Sequence, residues 1–174
     1  VWPATDVPVE KYPGPHVWGC LRTHPDLLTT PPLRALLVPR VDDPRFEIAL
    51  AAATAAAWEE TEAGTDALRK ALQSKWPEAR GMALSGLVRR VADAPALVRE
   101  FAARKDLTPE DRSAIAGVIW ETIDPAVTSI AQDLIKKGPA WGVLWGAYSE
   151  RAPKDAVHLA ITLPPTEESL DVLV

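Results

Sequence analysis

Apolar residues recur at intervals of three and four along most of the chain, as in Leu97, Val98, Phe101 and Ala102, or Val127, Ile130, Ala131, Leu134 and Ile135. At 3.6 residues per turn, this spacing gathers them into one stripe on a helix. No alternating run of β-formers interrupts it, so the pattern predicts helices rather than strands. Helical segments are expected at Pro32–Val38, Asp66–Lys75, Pro95–Lys105, Pro125–Lys137 and Lys154–Leu163, whose starts lie 34, 29, 30 and 29 residues apart.

A second series runs in step with the first. Pro15, Pro44, Pro77, Pro109 and Pro139 are separated by 29, 33, 32 and 30 residues. Proline suits the first helical position, where its missing N–H had no partner and its φ is already helical. Asp43 and Thr108 supply N-cap oxygens just upstream, with acidic residues in the first turn. Breaks are expected at Ala63-Gly64-Thr65, Asp93-Ala94-Pro95, Asp106-Leu107-Thr108, Asp124-Pro125, Gly138-Pro139 and Ala152-Pro153. Pro164-Pro165 followed by Thr166-Glu167-Glu168 reads as the start of another opening helix. The unit is thus a helix–turn–helix of about 30 residues, which cannot bury its stripe alone and must stack on its neighbours.

Two opening helices begin almost identically, Pro77-Glu78-Ala79-Arg80 and Pro109-Glu110-Asp111-Arg112, and two others share Gly14-Pro15 with Trp18-Gly19 and Gly138-Pro139 with Trp141-Gly142. These units resemble HEAT-like repeats, in which a proline opens the first helix and an Asp/Glu-x-Arg stretch follows. The resemblance covers residues 14–174 and is most specific over Pro77–Val91 and Pro109–Ile119. It implies an all-α protein: a right-handed α-solenoid of about five helical hairpins. Residues 1–13 are expected to be an extended leading segment, with Trp2 and Tyr12 capping the first hairpin.

Composition agrees with this picture. The 174 residues are 47% hydrophobic, with alanine and leucine prominent, and 25% charged, a balance that excludes wholesale disorder. A net charge of −5, from 24 acidic and 19 basic residues, argues against a surface devoted to nucleic acid. The single cysteine, Cys20, excludes an internal disulfide framework and fits a reducing compartment. The longest apolar run, Ile48–Trp58, is too short to cross a membrane. The first residues lack an initiator Met, a basic region and an apolar core, so they do not read as an export signal. Together these features suggest a piece of a longer, cytoplasmic protein of bacterial type.

Candidate chemistry is sparse. His16, Cys20 and His24 stand four apart and are zinc-ligand types, but no fourth ligand follows and Gly19 and Pro25 interrupt the helix. They read as a buried cysteine between surface histidines, and no metal or cofactor is expected. No Gly-rich phosphate loop, Ser-His-Asp order, H-E-x-x-H or paired-carboxylate motif appears, which leans away from an enzyme. The second helices carry Arg34, Arg69, Lys70, Arg99 and Lys136, and the resemblance implies that such helices line a groove. Trp141 and Trp145, at i and i+4 with Tyr148 beyond, are the candidate aromatic anchors. The expected function is a non-catalytic scaffold or regulatory module binding a protein partner, with an acidic segment favoured, through Arg34, Arg69, Lys70, Arg99, Lys136, Trp141 and Trp145. The alternative implied by the resemblance is a nucleic-acid binder or an alkylated-base DNA glycosylase, for which Asp133 and Glu100 are the available carboxylates.

Overall fold

The computed structural model describes residues 30–122 and 124–162, and every regular element among them is helical. The segment 1–29, with Trp2, Tyr12, His16, Cys20 and His24, and the Pro164-Pro165 start lie outside the described residues. The chain divides at Leu87–Val88 into two compact units.

Unit 1 holds α1 (Pro31–Leu37), a 3-10 turn (Val38–Arg40), α2 (Phe46–Trp58), α3 (Glu62–Ala71) and α4 (Pro77–Val88). Helix α2 is buried on nearly every side: Ile48, Ala49, Ala51, Ala52, Ala53, Ala55 and Ala56 are all inside. A helix apolar all round belongs at the centre of its layer, and α2 packs against both α1 and α3. Leu37, Val41, Leu68, Leu84 and Leu87 complete this core. Helix α4 closes on it where Gly86 meets the side chains of Leu68 and Ala57.

Unit 2 holds α5 (Ala94–Ala102), α6 (Pro109–Glu121), α7 (Pro125–Ile135), a 3-10 segment (Pro139–Leu144), α8 (Trp145–Arg151) and α9 (Pro153–Thr162). Here α5 packs on α7 and α6 on α8, while α8 also touches α7 and α9. Val98, Phe101, Ile115, Val118, Ile119, Val127, Ile130, Leu134 and Leu144 form the core. Helix starts follow their chemistry. Asp93 and Asp124 accept the N–H of Ala96 and Ala126, and Thr108 with Asp111 forms a reciprocal capping box.

The twin Pro-Glu-x-Arg motifs have the same structural use. Arg80 donates to the Ser74 carbonyl at 2.9 Å and Arg112 to the Leu107 carbonyl at 3.4 Å. Each arginine in the first turn and a half reaches back to brace the loop that delivers its helix.

Three local expectations need correction. Ala63-Gly64-Thr65 is no break, because α3 begins at Glu62 with Thr61 as its cap, accepting from Gly64 N at 3.3 Å. Asp43 does not cap α2. Its carboxylate instead takes the backbone N–H of Arg45 at 3.0 Å and the Arg45 guanidinium at 2.9 Å, and Arg45 precedes the helix without a side-chain cap. Pro139 opens a 3-10 segment rather than an α-helix, and α-geometry resumes only at Trp145. Just before it, Gly138 adopts φ 127°, a conformation that side chains resist, and so turns the chain out of α7.

Candidate functional site

The five basic candidates separate into two sets. In unit 1, Arg34 donates to the Trp58 carbonyl at 2.8 Å and approaches Glu59 at 3.6 Å. The guanidinium thereby satisfies the open end of α2, where a cation also suits the helix dipole. Lys70 meets Asp42 at 2.7 Å and Arg69 meets Asp66 at 2.9 Å. The Lys70 ammonium beside Asp42 holds that carboxyl below its ordinary range, and the Arg45 guanidinium does the same for Asp43. All three candidate cations of unit 1 are thus partnered within it.

In unit 2, Arg99 on α5 and Lys136 at the end of α7 are exposed, and among the described residues neither has a carboxylate partner within 4.0 Å. Their helices pack on one another. Lys105 and Lys137, also exposed, extend the positive character of these two helix ends. Arg104, by contrast, is held by Asp106 at 2.8 Å, a pairing that raises its affinity for its proton.

The aromatic candidates face inward. Trp141 is 9% exposed and Trp145 5%, so neither ring is offered to a partner. Trp145 stacks on Tyr148 with centroids 6.2 Å apart, and Arg112 lies over the Trp141 ring at 5.7 Å. Spacing of i and i+4 gathers rings on one side of the chain but does not say whether that side meets solvent or a neighbouring helix. Here α6 and α7 cover it. Among the described residues the exposed tryptophans are Trp58 and Trp120, at the C-terminal ends of α2 and α6.

A feature missed from sequence lies between α7 and α9. Both lean on α8, and a cleft of about 600 Å3 opens between them. Thr128, Ser129 and Gln132 form its α7 wall, Tyr148 its floor, and Lys154 and Asp155 its α9 rim. Burial, with Asp155 nearby, pushes the Tyr148 phenol above its ordinary pKa, so it stays protonated at neutral pH. The signal was present: Pro125, Thr128, Ser129 and Gln132 occupy i, i+3, i+4 and i+7.

Among the described residues no group of three or more His, Cys, Asp or Glu is placed to hold a metal ion, and the His16, Cys20 and His24 set lies outside them. Asp133 and Glu100 are both exposed on their helices. No described helix is long and apolar enough to cross a membrane.

Among the described residues, fold and side chains define an all-helical arrangement with unpaired cations on one helix pair and a polar cleft beside it. Compared with family models, with curated proteins and with solved structures, the chain matches none.

Proposed function

We propose that this chain is a HEAT-like helical-repeat module that binds an acidic segment of a protein partner through unit 2. The observation that carries this reading is the contrast among the cations. Arg34, Arg69 and Lys70 are committed to Trp58, Asp66 and Asp42, whereas Arg99 and Lys136 stand exposed and unpaired on two helices that touch. Unpaired surface cations steer an oppositely charged partner and fix its register. The stacking of α5 on α7 and of α6 on α8 supports the repeat reading, since it sets like helix upon like helix. An array of that kind keeps its fold while its exposed side chains choose the client.

The test is fluorescence anisotropy with a panel of labelled acidic peptides and, in parallel, a labelled DNA duplex, at low and raised salt. Acidic peptides should bind, and Arg99→Glu with Lys136→Glu should weaken them about tenfold or more. Tighter, steeply salt-dependent binding of the duplex would overturn the reading in favour of nucleic acid. Peptide binding indifferent to both reversals would also overturn it.

A further inference from the structure

Helix α7 carries two faces. Val127, Ile130, Ala131 and Leu134 are buried in the core of unit 2, while Thr128, Ser129 and Gln132 face the cleft. Whereas α5 meets α7 directly, a cleft separates α7 from α9, which a single residue, Ala152, joins to α8.

The floor of the gap is the decisive feature. Tyr148 is 2% exposed, its ring stacked on Trp145, yet its hydroxyl makes no hydrogen bond among the described residues. The hydroxyl is not among the buried polar atoms that lack a partner: it opens at the floor of the cleft, where a ligand can meet it in place of water. Ser129 donates to the Ala126 carbonyl at 2.9 Å and Thr128 to the Asp124 carbonyl at 3.4 Å, so both hydroxyl oxygens keep acceptor capacity toward the opening. Gln132 offers a donor and an acceptor together. At the rim, Asp155 lies in the first turn of α9, and Lys154 is the one cation among the residues lining the cleft.

We propose that the cleft between α7 and α9 seats an extended peptide segment, with its backbone amides on Gln132 and Tyr148 and one carboxylate side chain drawn to Lys154. A peptide bond presents a donor and an acceptor side by side, which is what an amide and a phenol can answer. A volume of about 600 Å3 falls within the range of binding clefts and holds a few residues rather than a folded surface. Lys154 is the one cation among the residues lining the cleft, too few for a phosphate backbone, which would need several. The inference rests on the protein-binding reading and specifies where the segment lies.

The experiment titrates the full chain with labelled pentapeptides bearing one central Glu, and with their Gln counterparts. Tyr148→Phe should keep the helical spectrum and melting temperature, since the lost hydroxyl bonded to nothing, yet bind the Glu peptides about tenfold more weakly. Gln132→Ala and Lys154→Met should fall similarly, and the Gln peptides should bind the unaltered protein more weakly than the Glu peptides. Unchanged binding by Tyr148→Phe and Gln132→Ala would overturn the cleft assignment. If Arg99→Glu alone abolished binding, the protein-binding reading would stand and the cleft would fall. If no pentapeptide bound while the longer acidic peptides did, the cleft would again fall alone.

Discussion

Gly64 stands against Glu59 with no space for a side chain: a Cβ there would lie 2.8 Å from Glu59 Cβ and closer still to the Glu59 carbonyl oxygen. The chain between α2 and α3 doubles back so tightly that only a hydrogen fits. Gly64→Ala must therefore displace backbone, which costs about 1–3 kcal/mol. Gly117, on the exposed side of α6 with nothing within 4 Å of its would-be Cβ, should behave oppositely. Gly117→Ala is expected to stabilise by about 0.5–1 kcal/mol through helix propensity. Urea unfolding of the two variants should move the midpoint in opposite directions.

The capping box of α6 is partly interior. Asp111 is fully buried and accepts the Thr108 N–H at 2.9 Å and the Thr108 hydroxyl at 3.0 Å. Thr108→Ala should cost about 1 kcal/mol. Asp111→Ala should cost more, about 1–3 kcal/mol, because it strands a backbone donor inside the protein. Equal losses in thermal unfolding would count against this assignment.

Asp43 predicts an acid dependence. Its pKa is depressed in the folded protein, chiefly by hydrogen bonds from Arg45. The unfolded chain therefore binds this proton at higher pH than the folded one does. The associated stability is complete above about pH 4 and is lost as the pH falls through the folded value. Asp43→Asn should be less stable than the parent by about 1 kcal/mol at neutral pH, with the gap closing in acid. Unfolding measured across the acid range would detect a gap that stays constant, contrary to expectation.

Tryptophans in the two settings should respond differently. Trp145→Ala removes a ring that is 5% exposed and should cost about 3–5 kcal/mol. Trp58→Ala trims a ring that is 57% exposed and should change stability by less than about 0.5 kcal/mol. A calorimetric comparison separates the cases.

Helix placement was legible because its determinants are local. Asp93 and Asp124 stand beside their prolines in sequence, and α5 and α7 begin there. Pro77 and Pro109 likewise open α4 and α6. Where a local signal had two uses, sequence misled. Gly64 serves close approach rather than helix termination, and the Asp43 carboxylate is claimed by the neighbouring Arg45. Gly138 and Gly142, flanking Pro139, lower helix propensity enough for a 3-10 path to win.

The candidate site was less legible, because its determinants are distant in sequence. Nothing near Lys70 announces Asp42, and nothing near Arg34 announces the Trp58 carbonyl. Those pairings decide which cations remain open, and so leave Arg99 and Lys136 from the original five. The polar stripe of α7 could be counted from the sequence, but its meaning depends on α9 standing away from it.

The methyl-sided α2 has a consequence for how unit 1 tolerates change. Ala52 and Ala53 are fully enclosed between neighbours, so a larger group on either would have to shift whole helices rather than rotate a side chain. Unit 2 mixes rings and branched aliphatics in its interior, where one group can shrink as another grows. Enlargements should accordingly be accommodated one at a time in unit 1 only along its outer edge, while unit 2 can absorb paired exchanges within its interior.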